Sequence, residues 1–115
     1  MTYNRGDVVL IRFPNADLKT YKKRPALIVQ GDELQTGLQQ KIVVLITSNL
    51  NRTGPTRLLI KQGDTAGKAM CLQTDSVVVT DNIATVLERE IDKVIGHCPL
   101  MSQVNAALKM TLGLN

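Results

Sequence analysis

Short apolar runs rich in β-branched residues, cut apart by Gly, Pro, Asn and Asp, fill most of this chain. That pattern predicts strands, and many short strands at close spacing predict a compact, curved or barrel-like β-sheet. Asp7 to Phe13 opens the series, and Pro14 stops it. Phe13, at the end of an apolar strand, is expected in the core. Arg24 to Gln30 is the second strand and Gly31 to Gly37 a connection. Lys41 to Thr47 is the third, and Arg57 to Lys61 the fourth after a turn at Gly54-Pro55. A loop with Gly63 and Gly67 leads to a strand at Ala69–Leu72, and Ser76–Val79, Ile83–Leu87 and Ile91–Gly96 complete the set. Residues 14–23, punctuated by Pro14, Asn15 and Asp17, are expected to form a mobile basic loop.

One segment breaks the pattern. Leu100, Met101, Val104, Ala107, Leu108 and Leu112 fall at three- and four-residue steps, which predicts a helix with one apolar stripe. Gly113 follows where a helix end needs a residue that tolerates positive φ. With no repeat, linker or low-complexity tract, the 115 residues are read as one domain, 1–115, mainly β with a C-terminal helix. No stretch approaches a membrane span and residues 1–20 have no apolar leader, so the expected compartment is the cytoplasm.

Two strands carry polar chemistry at one end. Lys23-Arg24 abuts the run Pro25-Ala26-Leu27-Ile28-Val29, and Ile42-Val43-Val44-Leu45-Ile46 ends in Thr47-Ser48-Asn49. A permanent cation at one strand end and a hydroxyl at another could together hold one phosphate. Read from the residues alone, Arg24 also fits a solvated cation flanking a strand, Thr47 an ordinary β-former, and Asp81 a turn or capping residue before Asn82. A net charge of +4 favours an acidic partner, nucleic acid or acidic polypeptide. Lys19, Lys22 and Lys23 beside Tyr21 suit single-stranded RNA, with charge for phosphates and a ring for stacking.

Other chemistries find little footing. His97 is the one histidine, so no histidine pair exists for acid–base work. Gly63 to Lys68 is one residue short of a phosphate loop, and Ala69 stands where that loop needs Ser or Thr. Asp64, Asp75 and Asp81 are scattered rather than clustered at metal spacing, so no metal or cofactor is expected. Cys71 and Cys98 lack CxxC spacing and read as two reduced, buried thiols.

In order along the chain, Gly6-Asp7-Val8-Val9, Arg24-Pro25-Ala26-Leu27-Ile28-Val29, Ile46-Thr47, Asp75-Ser76-Val77 and Ile95-Gly96 form a set. With the closing Val104, Ala107-Leu108 and Leu112-Gly113-Leu114, this set resembles the MazF/PemK/Kid toxins over nearly the whole chain. The resemblance implies an SH3-like (CcdB/PemK) small β-barrel with a C-terminal helix, acting as a homodimer. It implies a metal-independent endoribonuclease that cleaves single-stranded RNA by 2′-hydroxyl attack. It also implies an acidic antitoxin partner, and DNA binding when the two are complexed.

Arg24 matches that family's catalytic arginine and Thr47 its catalytic threonine. Asp81 falls where the Kid-like members place a catalytic aspartate. Ser48 and Asn49, next to Thr47, join Lys19, Tyr21, Lys22 and Lys23 as RNA-binding candidates. Val79 stands where those members add a second functional arginine, Ala84 replaces a basic residue common there, and the first loop has no histidine. The alternative reading is a non-catalytic relative acting by binding, either as a topoisomerase poison or as a DNA- or antitoxin-binding module.

Overall fold

The structure is a computed structural model, which describes residues 2–14, 17 and 19–115, with only the backbone of residues 13 and 14. Among the described residues there are six strands: β1 (Asp7–Pro14), β2 (Tyr21–Ile28), β3 (Gln40–Thr47), β4 (Arg57–Ile60), β5 (Ser76–Leu87) and β6 (Ile91–His97). Two helices join them: α1 (Thr65–Ala69) between β4 and β5, and α2 (Met101–Leu112) at the end of the chain. The strands form one antiparallel sheet in the order β4-β5-β3-β2-β1-β6. The mainly β architecture with a closing helix is therefore as expected.

Closure into a barrel is not. β4 and β6 lie at opposite ends of the strand order, and no pairing among the described residues joins them. The sheet nevertheless buries both faces. On one, Val8, Leu27, Val44, Ile46 and Val78 pack with Met70, Leu72 and Val104. On the other, Val9, Ile11, Ala26, Ile28 and Val43 pack with Ile91. Neighbouring residues such as Val8 and Val9 point to opposite faces, so both must be apolar, which explains runs without polar alternation.

Four segments differ from the sequence expectation. Tyr21, Lys22 and Lys23 are not loop residues but the first part of β2, opposite Pro14, Phe13 and Arg12. Cross-strand pairing to β1 extends the strand beyond its apolar portion. Of the remaining basic-loop expectation, Asn15 lies outside the described residues, as does the side chain of Phe13 with its expected burial.

The strand expected at Ala69–Leu72 is instead the end of α1 and the turn after it. Gly67 is what lets α1 pack here, since a Cβ on it would sit 2.2 Å from the Lys61 carbonyl oxygen. Met70 and Leu72 then plug the core as single buried side chains rather than as a strand face, while Cys71 between them, expected buried, is turned outward and exposed, and only Cys98 is buried as expected.

Ser76–Val79 and Ile83–Leu87 belong to the one strand β5, which carries a bulge. The β3–β5 register jumps from Leu45↔Val79 to Val44↔Ile83, leaving Thr80, Asp81 and Asn82 without partners on β3. The polar triplet that looked like a turn between strands is this bulge.

Helix α2 buries Val104 and Ala107, with Leu100, Met101 and Leu108 packed against the same core. Leu112, expected in that stripe, is instead exposed along with Met110 and Leu114. Gly113 caps the helix at φ 68°, and the N–H groups of Gly113 and Leu114 turn back to the carbonyls of Met110 and Lys109. Among the described residues no helix is long and apolar enough to cross a membrane.

Candidate active site

Three backbone features converge at the end of the sheet where β2 begins and β3 finishes. The β2–β3 ladder pairs Ile28 with Val43, Leu27 with Val44 and Ala26 with Leu45. Carried two residues further, the same register sets Arg24 beside Thr47. Both then share the face of Ala26 and Leu45, since side chains alternate along a strand. The third feature is the β5 bulge, which opens next to Leu45. Bulges commonly redirect side chains beside functional sites.

These features enclose a cavity of ≈ 200 Å³ lined by Arg24, Thr47, Arg52, Asn82, Leu45 and Val79, with Pro25 and Ile46. Among the described residues its charged lining consists of two guanidinium groups, Arg24 and Arg52, and no carboxylate. Arg24 is exposed and makes no side-chain hydrogen bond or ion pair among the described residues, so its donors are available. The Thr47 hydroxyl accepts the Asn49 backbone N–H at 3.1 Å, which fixes its orientation and leaves its own proton to donate. Arg24 and Thr47, expected to act together, both line this cavity.

A wider groove of ≈ 640 Å³ runs from the other side of Arg24, past Lys22, Lys23, Ser48, Gln73, Thr74 and Ser76 to Lys93. Among the described residues its charged lining is again cationic, with Lys22, Lys23, Arg24 and Lys93. The two cavities share Arg24, Pro25 and Ile46, so Arg24 stands at their junction. Lys93 reaches the groove because β6 pairs with β1 and β1 with β2, bringing Lys93, Leu10 and Pro25 into one row.

The cations of the groove are not equivalent. Lys23 Nζ lies 3.1 Å from Asp92, which also holds Arg12 at 3.3 Å. The Lys23 hydrogen bond, with the nearby charges of Lys23 and Arg12, holds the Asp92 carboxyl below the usual carboxylate range. Lys22, one residue away, has no such partner among the described residues. Tyr21 is 64% exposed and borders a separate shallow depression with Arg12, Lys23, Arg89 and Glu90.

The remaining sequence candidates sit apart. Lys19 is exposed, in a turn where Asp17 accepts the backbone N–H groups of Lys19 and Thr20 at 2.9 and 3.1 Å. Asn49 lines neither cavity. Its side-chain oxygen accepts the Asn51 N–H at 3.0 Å, a local turn bond.

Asp81 lines neither cavity either. Its carboxylate takes two donors from Arg57, at 3.2 and 2.8 Å, and the Thr56 hydroxyl at 3.1 Å. The Arg57 hydrogen bond is the leading cause that keeps the Asp81 carboxyl below its ordinary value. Arg52, Asn82, Gln73, Thr74 and Lys93 were not singled out from sequence. None sits in a motif, and only the register, the bulge and the loop path bring them to Arg24.

Comparison with known proteins bears on the family and the fold. The family model for the PemK-like, MazF-like toxin of type II toxin–antitoxin systems matches residues 4–112. No curated protein sequence matches. Among solved structures, an endoribonuclease in complex with its cognate antitoxin, from a mycobacterial species, is 26% identical with a TM-score of 0.73. The match covers 99% of this chain and 98% of that one. A second mycobacterial endoribonuclease is 25% identical with a TM-score of 0.71, over 99% of this chain and 94% of that one. A MazE–MazF complex from Deinococcus radiodurans, 17% identical, shares the fold with a TM-score of 0.73 over 100% and 99% of the two chains. With the family model spanning nearly its full length, the chain belongs to the PemK-like, MazF-like toxins of type II toxin–antitoxin systems.

Proposed function

We propose that this toxin is an endoribonuclease that cleaves single-stranded RNA, with the scissile phosphate held in the small cavity between Arg24 and Thr47. The observation that carries the reading is that those two side chains line one cavity whose charged lining, among the described residues, is cationic only. The two mycobacterial structures named as endoribonucleases support the same activity.

The chemistry follows from the groups present. The ribose 2′-oxygen attacks the adjacent phosphorus as the P–O5′ bond breaks. One fragment ends in a 2′,3′-cyclic phosphate and the other in a 5′-hydroxyl. The proton lost by the 2′-hydroxyl is balanced by the proton gained by the leaving oxygen. Negative charge builds on the non-bridging oxygens in the transition state. A preorganised guanidinium answers it with paired donors, and one such donor contributes about 3–4 kcal/mol. That is the part assigned to Arg24. Thr47 donates its hydroxyl to a phosphate oxygen and orients it.

Asp81 was expected to accept the 2′-hydroxyl proton. Its surroundings favour a different part, because its oxygens are occupied by Arg57 and Thr56 and its lowered pKa makes it a weak base. We assign it the bracing of the bulge, and leave the proton to water in the open cavity.

The wide groove suits the flanking RNA strand, with Lys22, Lys23 and Lys93 against phosphates and Ser48 at the mouth. The same cationic lining suits an acidic antitoxin, as the antitoxin-bound mycobacterial relative supports. We read the chain as one domain whose curled sheet is an opened small barrel of the SH3-like kind, since both faces bury core. Exposed Leu59, Met110, Leu112 and Leu114 favour a homodimer that covers them. We place the toxin in the cytoplasm with its RNA, and assign DNA binding to the toxin–antitoxin complex.

The test is cleavage of a long heteropolymeric RNA in excess EDTA, with end-group analysis. The reading expects undiminished cleavage and cyclic phosphate with 5′-hydroxyl ends. Strict dependence on Mg²⁺, or 5′-phosphate ends, would overturn it. An intact RNA would favour the binding-only alternative.

A further inference from the structure

We infer that Arg52 is the second cationic group of the reaction cavity, set there to share the phosphate charge with Arg24. The inference rests on the endoribonuclease reading above and deepens it. Arg52 is exposed, lines the ≈ 200 Å³ cavity with Arg24, Thr47 and Asn82, and makes no side-chain hydrogen bond or ion pair among the described residues. Two unpaired guanidinium groups lining one cavity with no carboxylate among its described lining are uncompensated like charge. That arrangement costs free energy when empty and is relieved by a dianionic or phosphorane-like group between them.

The loop that carries Arg52 is tied at both ends to the rest of the site. At its start, the Thr47 hydroxyl accepts the Asn49 N–H at 3.1 Å, and the Asn49 side chain accepts the Asn51 N–H at 3.0 Å. The Asn49 carbonyl then accepts the Arg52 N–H at 3.3 Å. This chain of turns begins on the threonine of the cavity and ends on the arginine. At its far side, Gly54 takes φ 130° to return the chain toward β4, and Arg57 Nη1 donates to the Thr53 carbonyl at 2.9 Å. Arg57 is itself held by both oxygens of Asp81. The carboxylate therefore acts on the cavity through Arg57 and Thr53, which makes it a positioning residue for Arg52.

Val79 on the same cavity wall is apolar and 5% exposed, so the wall itself supplies no charge there. Arg52 brings a guanidinium to that side from the loop instead.

The experiment compares Arg52→Gln, Arg52→Lys and Arg24→Ala, with Lys109→Gln, an exposed cation of α2 that lines neither cavity, as a charge control. The cleavage point in a heteropolymeric RNA is mapped first. Single-turnover rates are then measured, with Kd for the same sequence carrying a 2′-O-methyl at that point, and Tm reports folding. Arg52→Gln is expected to slow cleavage by roughly 10²-fold, with Kd within about threefold and Tm unchanged. Arg52→Lys should recover part of the rate, since it restores charge without the paired donors. Lys109→Gln should cleave as the parent does. A folded Arg52→Gln that cleaves at the parental rate, while Arg24→Ala does not, overturns this inference and leaves the endoribonuclease reading standing. Equal losses in rate and Kd would overturn it too, making Arg52 a plain RNA contact. A parent that cleaves no RNA removes both.

Discussion

Arg57 grips Asp81 through two bonds, Nε to Oδ1 at 3.2 Å and Nη2 to Oδ2 at 2.8 Å, and so ties β4 to the bulge of β5. The bidentate geometry matters more than the charge. A planar fork on a carboxylate fixes direction as well as distance. Here it fixes the one stretch of β5 that has left the ladder, next to the residue, Asn82, that enters the small cavity.

This pair makes stability depend on pH with a definite sign. Arg57 lowers the Asp81 pKa in the folded chain below the unfolded value of about 3.9. The unfolded chain then binds more protons through that range, so the contribution is complete above about pH 4 and lost as pH falls through the folded pKa. Asp17 and Asp92 are lowered as well, by the Lys19 and Thr20 backbone N–H groups and by Lys23 respectively, and act in the same direction. The Tm gap between the parent and Asp81→Asn should therefore be widest near pH 6 and shrink below pH 4. Melting curves from pH 6 to 2.5 check it. A gap independent of pH would assign the stabilisation to shape rather than to the ion pair.

The same variant separates a brace from a base. General-base removal typically costs 10²–10⁴ in rate and removes the acidic limb of the pH–rate profile. A brace that only holds Arg57 and the loop should cost less than about tenfold and leave that limb in place. Single-turnover rates of Asp81→Asn between pH 5 and 8 decide between them. The smaller effect is expected.

What the sequence made legible, and what it hid, follows from range. Strands such as Asp7–Phe13 and Lys41–Thr47 were readable because β-branched runs report local preference and burial together. Thr47 was readable as a strand-end residue, whereas Arg24, read as the start of its strand, lies inside β2, which begins at Tyr21. The Thr80-Asp81-Asn82 triplet reads as a turn because its bulge exists only against β3, a partner some 35 residues back. Helix α1 hides for a similar reason, since Thr-Ala-Gly-Lys-Ala has no apolar period and depends on Gly67 lying against Lys61 and Gln62. Lys22 and Lys23 looked like loop because nothing local tells a charged strand end from a basic loop. Pairing with β1 made the difference.

Arg24 and Thr47 should fail in different ways. Arg24→Ala removes the paired donors and is expected to lower the single-turnover rate by roughly 10²–10³, with RNA affinity less affected. Thr47→Ser keeps the hydroxyl that accepts the Asn49 N–H, and should retain most of the rate. Thr47→Val keeps the β-branched shape but loses both the phosphate donor and that turn bond, so it should fall by at least tenfold. Rates and 2′-O-methyl RNA affinities measured on all three check this. A fully active Thr47→Val would remove the hydroxyl from the mechanism.

The last prediction separates two neighbouring lysines. RNA and an acidic antitoxin segment both present spaced negative charge, so both are expected in the groove lined by Lys22, Lys23 and Lys93. Lys23 is already engaged by Asp92 at 3.1 Å, whereas Lys22 is not paired among the described residues. A cation with a fixed partner gives up part of that bond to meet a phosphate, so Lys22 should contribute more to binding than Lys23. Lys22→Glu should weaken RNA and antitoxin together and lower the salt slope for single-stranded RNA by about 0.7 or more. Lys23→Glu should weaken both less, and Asp92→Asn should strengthen RNA binding by freeing Lys23. The measurement is a competition titration of antitoxin against 2′-O-methyl RNA at several salt concentrations. If antitoxin and RNA bind together without loss of affinity, the two do not share the groove. If Lys23→Glu outweighs Lys22→Glu, the Asp92 pairing does not govern how the groove meets its ligands.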